Sequence, residues 1–239
     1  MGPDDFSELA RSRHSVRAFQ PEPIPTVVLD AVLDDARYAP SWSNTRPYCV
    51  AVASGERADR LRRAYAAEFD AALPMYHHRP LAFARAALTG RFPDADFPTW
   101  RRYPDDLRPA SAAVGAGLYA HLGVARGDRA ARDAWNRSNC EFFGAPTVLW
   151  IFVHGGLLPF SAHDAGLMLS TLMLSARAHG LDSCALGVLA TWRRPVDAEF
   201  EIPRRYKLVT GLALGYASDA PVNDFRAEHP PVRQAPPRR

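Results

Sequence analysis

No stretch of the chain is apolar for long enough to cross a bilayer. The most hydrophobic run, Thr147 to Val153, is seven residues, against the roughly 20 that a spanning helix needs. Its β-branched and aromatic content suits a buried strand instead. Cysteine is scarce: Cys49, Cys140 and Cys184 are odd in number and far apart, which excludes a disulfide framework and a CxxC metal or redox pair and points to a reducing cytoplasm. Charge of one sign is also lacking. With 29 basic and 26 acidic residues, a net +3, neither a nucleic-acid partner nor a polybasic membrane contact is expected. The start, Met1 to Asp5, is acidic where a secretory leader is basic, so export is not expected. No Gly/Ser-rich or charge-rich linker interrupts the middle of the 239 residues, so a single domain over 1–239 is expected. P-loop, HExxH and GxSxG motifs are absent, leaving Walker phosphoryl transfer, zincin hydrolysis and the hydrolase elbow without support. Gly115 to Ala120 fits GxGxxA in form only. Pro109-Ala-Ser precedes it where a strand is required and its pattern is helical, so the dinucleotide reading is rejected.

What is present alternates between helices and strands. Helical spacing is expected at Asp5 to Arg11, Val27 to Arg37, Glu56 to Ala72, Pro80 to Leu88, Ser111 to Leu122, Arg129 to Phe143 and Val196 to Phe200. Strands are expected at Tyr48 to Ala53, Thr147 to Val153, Ser183 to Leu189 and Leu208 to Tyr216. Ala162 to His179 is the strongest helix, apolar nearly all round and stopped by Gly180, so it requires burial in the core or against a partner subunit. Residues Phe92 to Pro109, rich in proline and aromatics, read as an irregular excursion and a candidate lid. The tail from Pro221 to Arg239 reads as an extended arm. Such a mixture implies an α+β or α/β layer.

The segment Arg13-His14-Ser15-Val16-Arg17 is the first with chemical content. In an extended chain residues 13, 15 and 17 point the same way, converging two guanidinium forks and a hydroxyl. That set suits a phosphate, although a solvated basic turn gives the same letters. His163-Asp164 is an adjacent pair whose side chains are expected on different faces of a helix, which disfavours a catalytic dyad.

Four segments in order, Arg13 to Phe19, Pro40-Ser-Trp-Ser-Asn-Thr-Arg-Pro47, Gly180 to Gly187 and Leu214 to Asn223, together resemble the FMN-dependent nitroreductase family. The resemblance runs from about Phe6 to Val232 and is nearest the nitrobenzoate-reductase-like branch. It implies a mixed central sheet flanked by helices, in an intertwined homodimer whose C-terminal extension lies on the partner. It also implies FMN as cofactor, NADH or NADPH as electron donor, and a small electron-poor aromatic as acceptor.

By that resemblance Arg13 and Ser15 grip the FMN phosphate, His14 lines the same stretch, and Arg17 approaches the pyrimidine edge, where a cation steadies charge on the reduced ring. Pro40, Ser41, Trp42, Ser43 and Asn44 form a flavin loop supplied by the other subunit. Ala185, Leu186 and Gly187 form the turn beside flavin N5, where glycine permits close backbone approach. Arg226, or else His229, reaches the phosphate from the tail. Three positions depart from the family's pattern on the substrate side: Arg46 for Gln, Tyr48 for Trp, and Leu186 for Gln or Glu. They keep open a biosynthetic flavin oxidase or dehydrogenase, and a flavin-binding protein without turnover, beside the reductase. Trp42, Trp100, Tyr119, Phe142 and Trp192 could stack on a ring, but none is assigned to it.

Overall fold

The computed structural model describes residues 2–99 and 102–235. Strand β2 (Thr147–His154) is the apolar run identified above, and it is buried along nearly its whole length. It lies inside a four-stranded sheet with β1 (Tyr48–Ser54), β3 (Asp182–Leu186) and β4 (Tyr206–Gly215), in the order β1-β2-β4-β3. All three strand pairs are antiparallel. Parallel pairing, expected of a mixed sheet, survives as one bridge between Ser15 and Ser183.

Both faces of the sheet are covered, which is why β2 is continuously apolar and does not alternate. Val148, Trp150 and Phe152 enter one core layer with α3 (Gly55–Tyr76) and α6 (Arg129–Cys140). Leu149, Ile151 and Val153 enter the other, with α2 (Thr26–Ala36) and α7 (Phe160–Ala178). A relay of polar groups threads the first layer: the Trp150 indole N–H donates to the Tyr65 hydroxyl at 2.9 Å, which donates to the Trp192 carbonyl at 3.0 Å. Phe142 and Trp192 are core residues, and Trp100 lies outside the described residues.

Helix α7 ends as its sequence predicts. Gly180 has φ of 77°, its N–H reaches the Arg177 carbonyl, and the Leu181 N–H reaches Ala176; these are the two bonds of a Schellman cap. One face of α7 packs on α2 and the sheet through Ala165, Met168, Leu172 and Ala176. The other, with Ala162, Gly166, Ser170 and Ala178 exposed, is left uncovered by the described residues.

Several boundaries differ from expectation. Helix α3 continues through Pro74 to Tyr76, so it delivers Met75 and Tyr76 to a cavity described below. Helix α5 (Arg108–His121) starts three residues early, with Pro109 in its first turn. The strand expected at Ser183 to Leu189 stops at Leu186. Residues Gly187–Thr191 form a 3₁₀ turn that folds Leu189 over Gly211, where a Cβ would sit 2.5 Å from the Leu189 Cδ1. Between α4 (Pro80–Thr89) and α5 the described residues are irregular, as expected, and are anchored at Asp94 and Asp96. Asp94 accepts the Arg193 and Arg194 backbone N–H groups, starting α8 (Arg194–Asp197). Asp96 accepts from the Arg193 guanidinium at 2.6 Å and the Leu208 N–H at 2.8 Å, with Lys207 at 3.2 Å. No helix among the described residues is long and apolar enough to cross a membrane.

Candidate functional site

The segment Arg13 to Arg17 lies against the edge of the sheet. The Val16 N–H donates to the Ser183 carbonyl at 3.1 Å, and Val16 is fully buried. Alternation therefore turns Ser15 and Arg17 to the opposite side. Burial pushes the Cys184 thiol up, while the Arg17 cation, the Ser15 hydroxyl and the Arg13 cation each pull it back. His14 turns away and bonds the Ser12 carbonyl through Nδ1 at 3.1 Å.

Arg17 is fixed from the C-terminal side by Asn223, which sequence reasoning quoted but gave no role. The Asn223 Oδ1 accepts the Arg17 backbone N–H at 2.8 Å, and its amide nitrogen donates to the carbonyls of Ala18 and Ser218. The Arg17 guanidinium donates to the Ser15 carbonyl and lies 6.0 Å from the Phe225 ring. Arg226 donates to the carbonyls of Asn223 and Phe225, so its guanidinium is engaged by its own tail. His229 is exposed.

At the end of β3, Ala185 and Gly187 are exposed while Leu186 is 2% exposed, with its side chain in the core. Leu186 therefore cannot border a substrate through its side chain as expected, because the strand's alternation sends it inward; only its backbone faces outward. Gly187 opens onto a cavity of about 760 Å³ lined by Met75, Tyr76, His78, Phe83, Thr99 and Arg102. Among the described residues, and apart from its chain neighbours, no atom lies within 4 Å of where a Gly187 Cβ would sit. Packing among the described residues does not demand glycine there, and the bare backbone leaves room for a flat ring. Thr99 is held to the rim by a bond between its hydroxyl and that of Thr191 at 3.2 Å. The period-based reading missed Tyr76 and Phe83, which are aromatic and partly exposed.

The loop from Pro40 to Asn44 lies elsewhere. The Trp42 N–H donates to Asp164 in the first turns of α7 at 2.8 Å, and the Trp42 ring packs on Phe160 at 4.2 Å. Arg13 to Arg17 sits at the other end of that helix, where Arg177 donates to the Ser12 hydroxyl and pairs with Asp182. From Asp164 to Arg177 the helix rises roughly 20 Å. Within one chain Arg13 to Arg17 lie at the Ser183 end of β3, the turn at Gly187 follows its other end, roughly 13 Å along the strand, and Pro40, Ser41, Trp42, Ser43 and Asn44 lie apart from both. Arg46 is exposed, and the Tyr48 hydroxyl is buried without a partner among the described residues. The adjacent His163 and Asp164 do meet, Nδ1 to Oδ1 at 3.1 Å, contrary to the expectation that they would face apart.

Comparison with known proteins supplies the name of this arrangement. A nitroreductase NfnB of Mycolicibacterium smegmatis is 35% identical over 219 residues, covering 91% of this chain and 86% of that one. A 4-nitrobenzoate reductase of Pseudomonas putida is 33% identical, covering 93% and 90%. The crystal structure of FMN-dependent nitroreductase NfnB from Mycobacterium smegmatis in complex with NADPH superposes with a TM-score of 0.82 at 32% identity, covering 97% of this chain and 98% of that one. With residues 10–216 matching the family's pattern as well, the chain belongs to the Nitroreductase family.

Proposed function

We propose that the chain is an FMN-dependent nitroreductase that takes electrons from NADH or NADPH, and that its flavin sites are completed by a second copy of itself. The observation that carries this is the extended segment Arg13 to Arg17 bridged to Ser183 at one end of β3, with a bare glycine opening on a cavity at the other. The relatives named above are described as nitroreductases, and one structure as FMN-dependent and bound to NADPH.

Arg13 and Ser15 supply permanent charge and a hydroxyl to a phosphate. Arg17, held by Asn223, places a cation where negative charge builds on a reduced flavin. The turn at Ala185, Leu186 and Gly187 offers backbone to the ring edge without a side chain in the way. Bound there, FMN would supply the hydride chemistry, in alternate halves with a nicotinamide and an electron-poor aromatic acceptor such as a nitroaromatic. The cavity wall of Met75, Tyr76 and Phe83 gives a flat acceptor apolar and aromatic faces, with Arg102 and His78 as its polar groups. The chain need only position, exclude water and polarise.

Two features support a homodimer. Among the described residues helix α5 buries none of its side chains, and the small-residue face of α7 is exposed. A second copy running the other way along α7 would bring its Pro40 to Asn44 loop to the Arg13 end, uniting the halves separated by roughly 20 Å here. Titrating purified apoprotein with FMN tests the reading: bound flavin that bleaches anaerobically with NADPH and recovers on adding 4-nitrobenzoate is expected. Protein that stays colourless with added FMN contradicts it.

A further inference from the structure

The loop after Pro40 is held in an unusual shape. Ser43, Asn44 and Arg46 have φ of 48°, 54° and 47°, a left-handed conformation that residues other than glycine keep only when their surroundings impose it. Two restraints are local: the Ser41 hydroxyl accepts the Arg46 N–H at 3.0 Å, and the Thr45 hydroxyl donates to the Trp42 carbonyl at 2.8 Å. Two come from α7, the Phe160 ring and the carboxylate of Asp164.

Asp164 is 2% exposed, and no arginine or lysine pairs with it among the described residues; its one ion-pair partner is the exposed His163. A carboxylate buried this way is costly unless its hydrogen bonds repay it. It does not cap its own helix, whose N-terminus receives no side-chain bond. Its Oδ2 is directed to the Trp42 N–H, 122 positions away in sequence.

We propose that Asp164 is the positioning residue of the flavin loop. By holding the Trp42 N–H it keeps Ser43 and Asn44 in the left-handed shape in which the loop meets the ring bound mainly by the other subunit. The inference rests on the flavin reading above and adds a residue whose part is to hold the loop's backbone.

The test uses the full chain as Asp164→Asn, Asp164→Ala and wild type. FMN affinity is read by quenching of flavin fluorescence, and NADPH oxidation with 4-nitrobenzoate is measured at saturating FMN. Loss of a charge-assisted bond predicts that Asp164→Ala weakens FMN by about ten-fold or more. Its kcat at saturating FMN should stay within about three-fold of wild type, because the reacting groups are untouched. Asp164→Asn keeps an acceptor oxygen for the Trp42 N–H and should restore FMN affinity to within about three-fold of wild type. If Asp164→Ala does not fold, Asp164→Glu replaces it. The charge is then retained but the acceptor displaced, and the same weakening is expected. Wild-type affinity in Asp164→Ala or Asp164→Glu, or an Asn variant as weak as the Ala variant, overturns the role of Asp164. Wild-type protein that binds no FMN overturns instead the flavin reading on which it rests.

Discussion

Replacing Asp96 by alanine removes the clamp that ties the excursion after α4 to the sheet. Its carboxylate is nearly buried and serves Arg193 at 2.6 Å, the Leu208 N–H at 2.8 Å and Lys207 at 3.2 Å. The Arg193 side chain is 10% exposed and would keep Asp197, the Tyr206 carbonyl and the face of Phe152. Removing one partner of a buried pair costs about 3–5 kcal/mol. Because Asp197 remains, the lower end, about 3 kcal/mol, is expected. For a chain of this size that lowers Tm by about 6–12 °C. Scanning calorimetry of wild type and Asp96→Ala, both without FMN, measures it. The same change loosens the segment leading to Thr99, which stays on the rim of the Gly187 cavity through its bond to Thr191, so KM for the acceptor should rise more than kcat falls. A Tm drop under about 2 °C would refute the burial argument, because the pair would then be behaving as a surface one.

Further outcomes follow from the same geometry. Arg13→Ala should weaken FMN by about ten-fold to a hundred-fold, the worth of a charged phosphate contact, read by fluorescence titration; unchanged affinity would move the phosphate elsewhere. Tyr65→Phe strands the Trp150 N–H and the Trp192 carbonyl, costing about 1–3 kcal/mol for each group left unpaired, visible as a lower denaturation midpoint. Burial pushes the Cys140 thiol up to about 12 and also raises Cys49 and Cys184, so native protein should resist alkylation at neutral pH. The sign for stability follows from linkage. An unfolded Cys140 ionises at its ordinary value while the folded one stays protonated, so its contribution is lost as pH rises from the ordinary thiol range toward about 12. Cys140→Ser should flatten that alkaline decline in thermal melts.

Much of this was readable from residue order because the signals are local. The alternation at Arg13, Ser15 and Arg17 needs only an extended chain, and β2 announces itself by a run too apolar for anything but a covered strand. Gly180 ends α7 through its own φ. What escaped depends on residues distant in sequence. Asp164 is recognisable only once Trp42 is beside it, and Asp94 and Asp96 only once Arg193 and Leu208 are. Leu186 seemed to face a substrate because the letters do not say which side of β3 looks into the core. Tyr76 and Phe83 were passed over because an exposed aromatic at a helix end has no period to mark it. The composite site is implied by resemblance, and roughly 20 Å of α7 separates its two proposed parts within one chain.

The most direct test of a site shared between two chains joins two defective ones. Arg13→Glu and Asn44→Arg chains are co-expressed with different tags and the mixed dimer is purified through both. Each variant alone should bind no FMN, whereas the mixed dimer, with one site built wholly from unaltered halves, should hold about one FMN per dimer. A mixed dimer as empty as its parents would contradict the shared site.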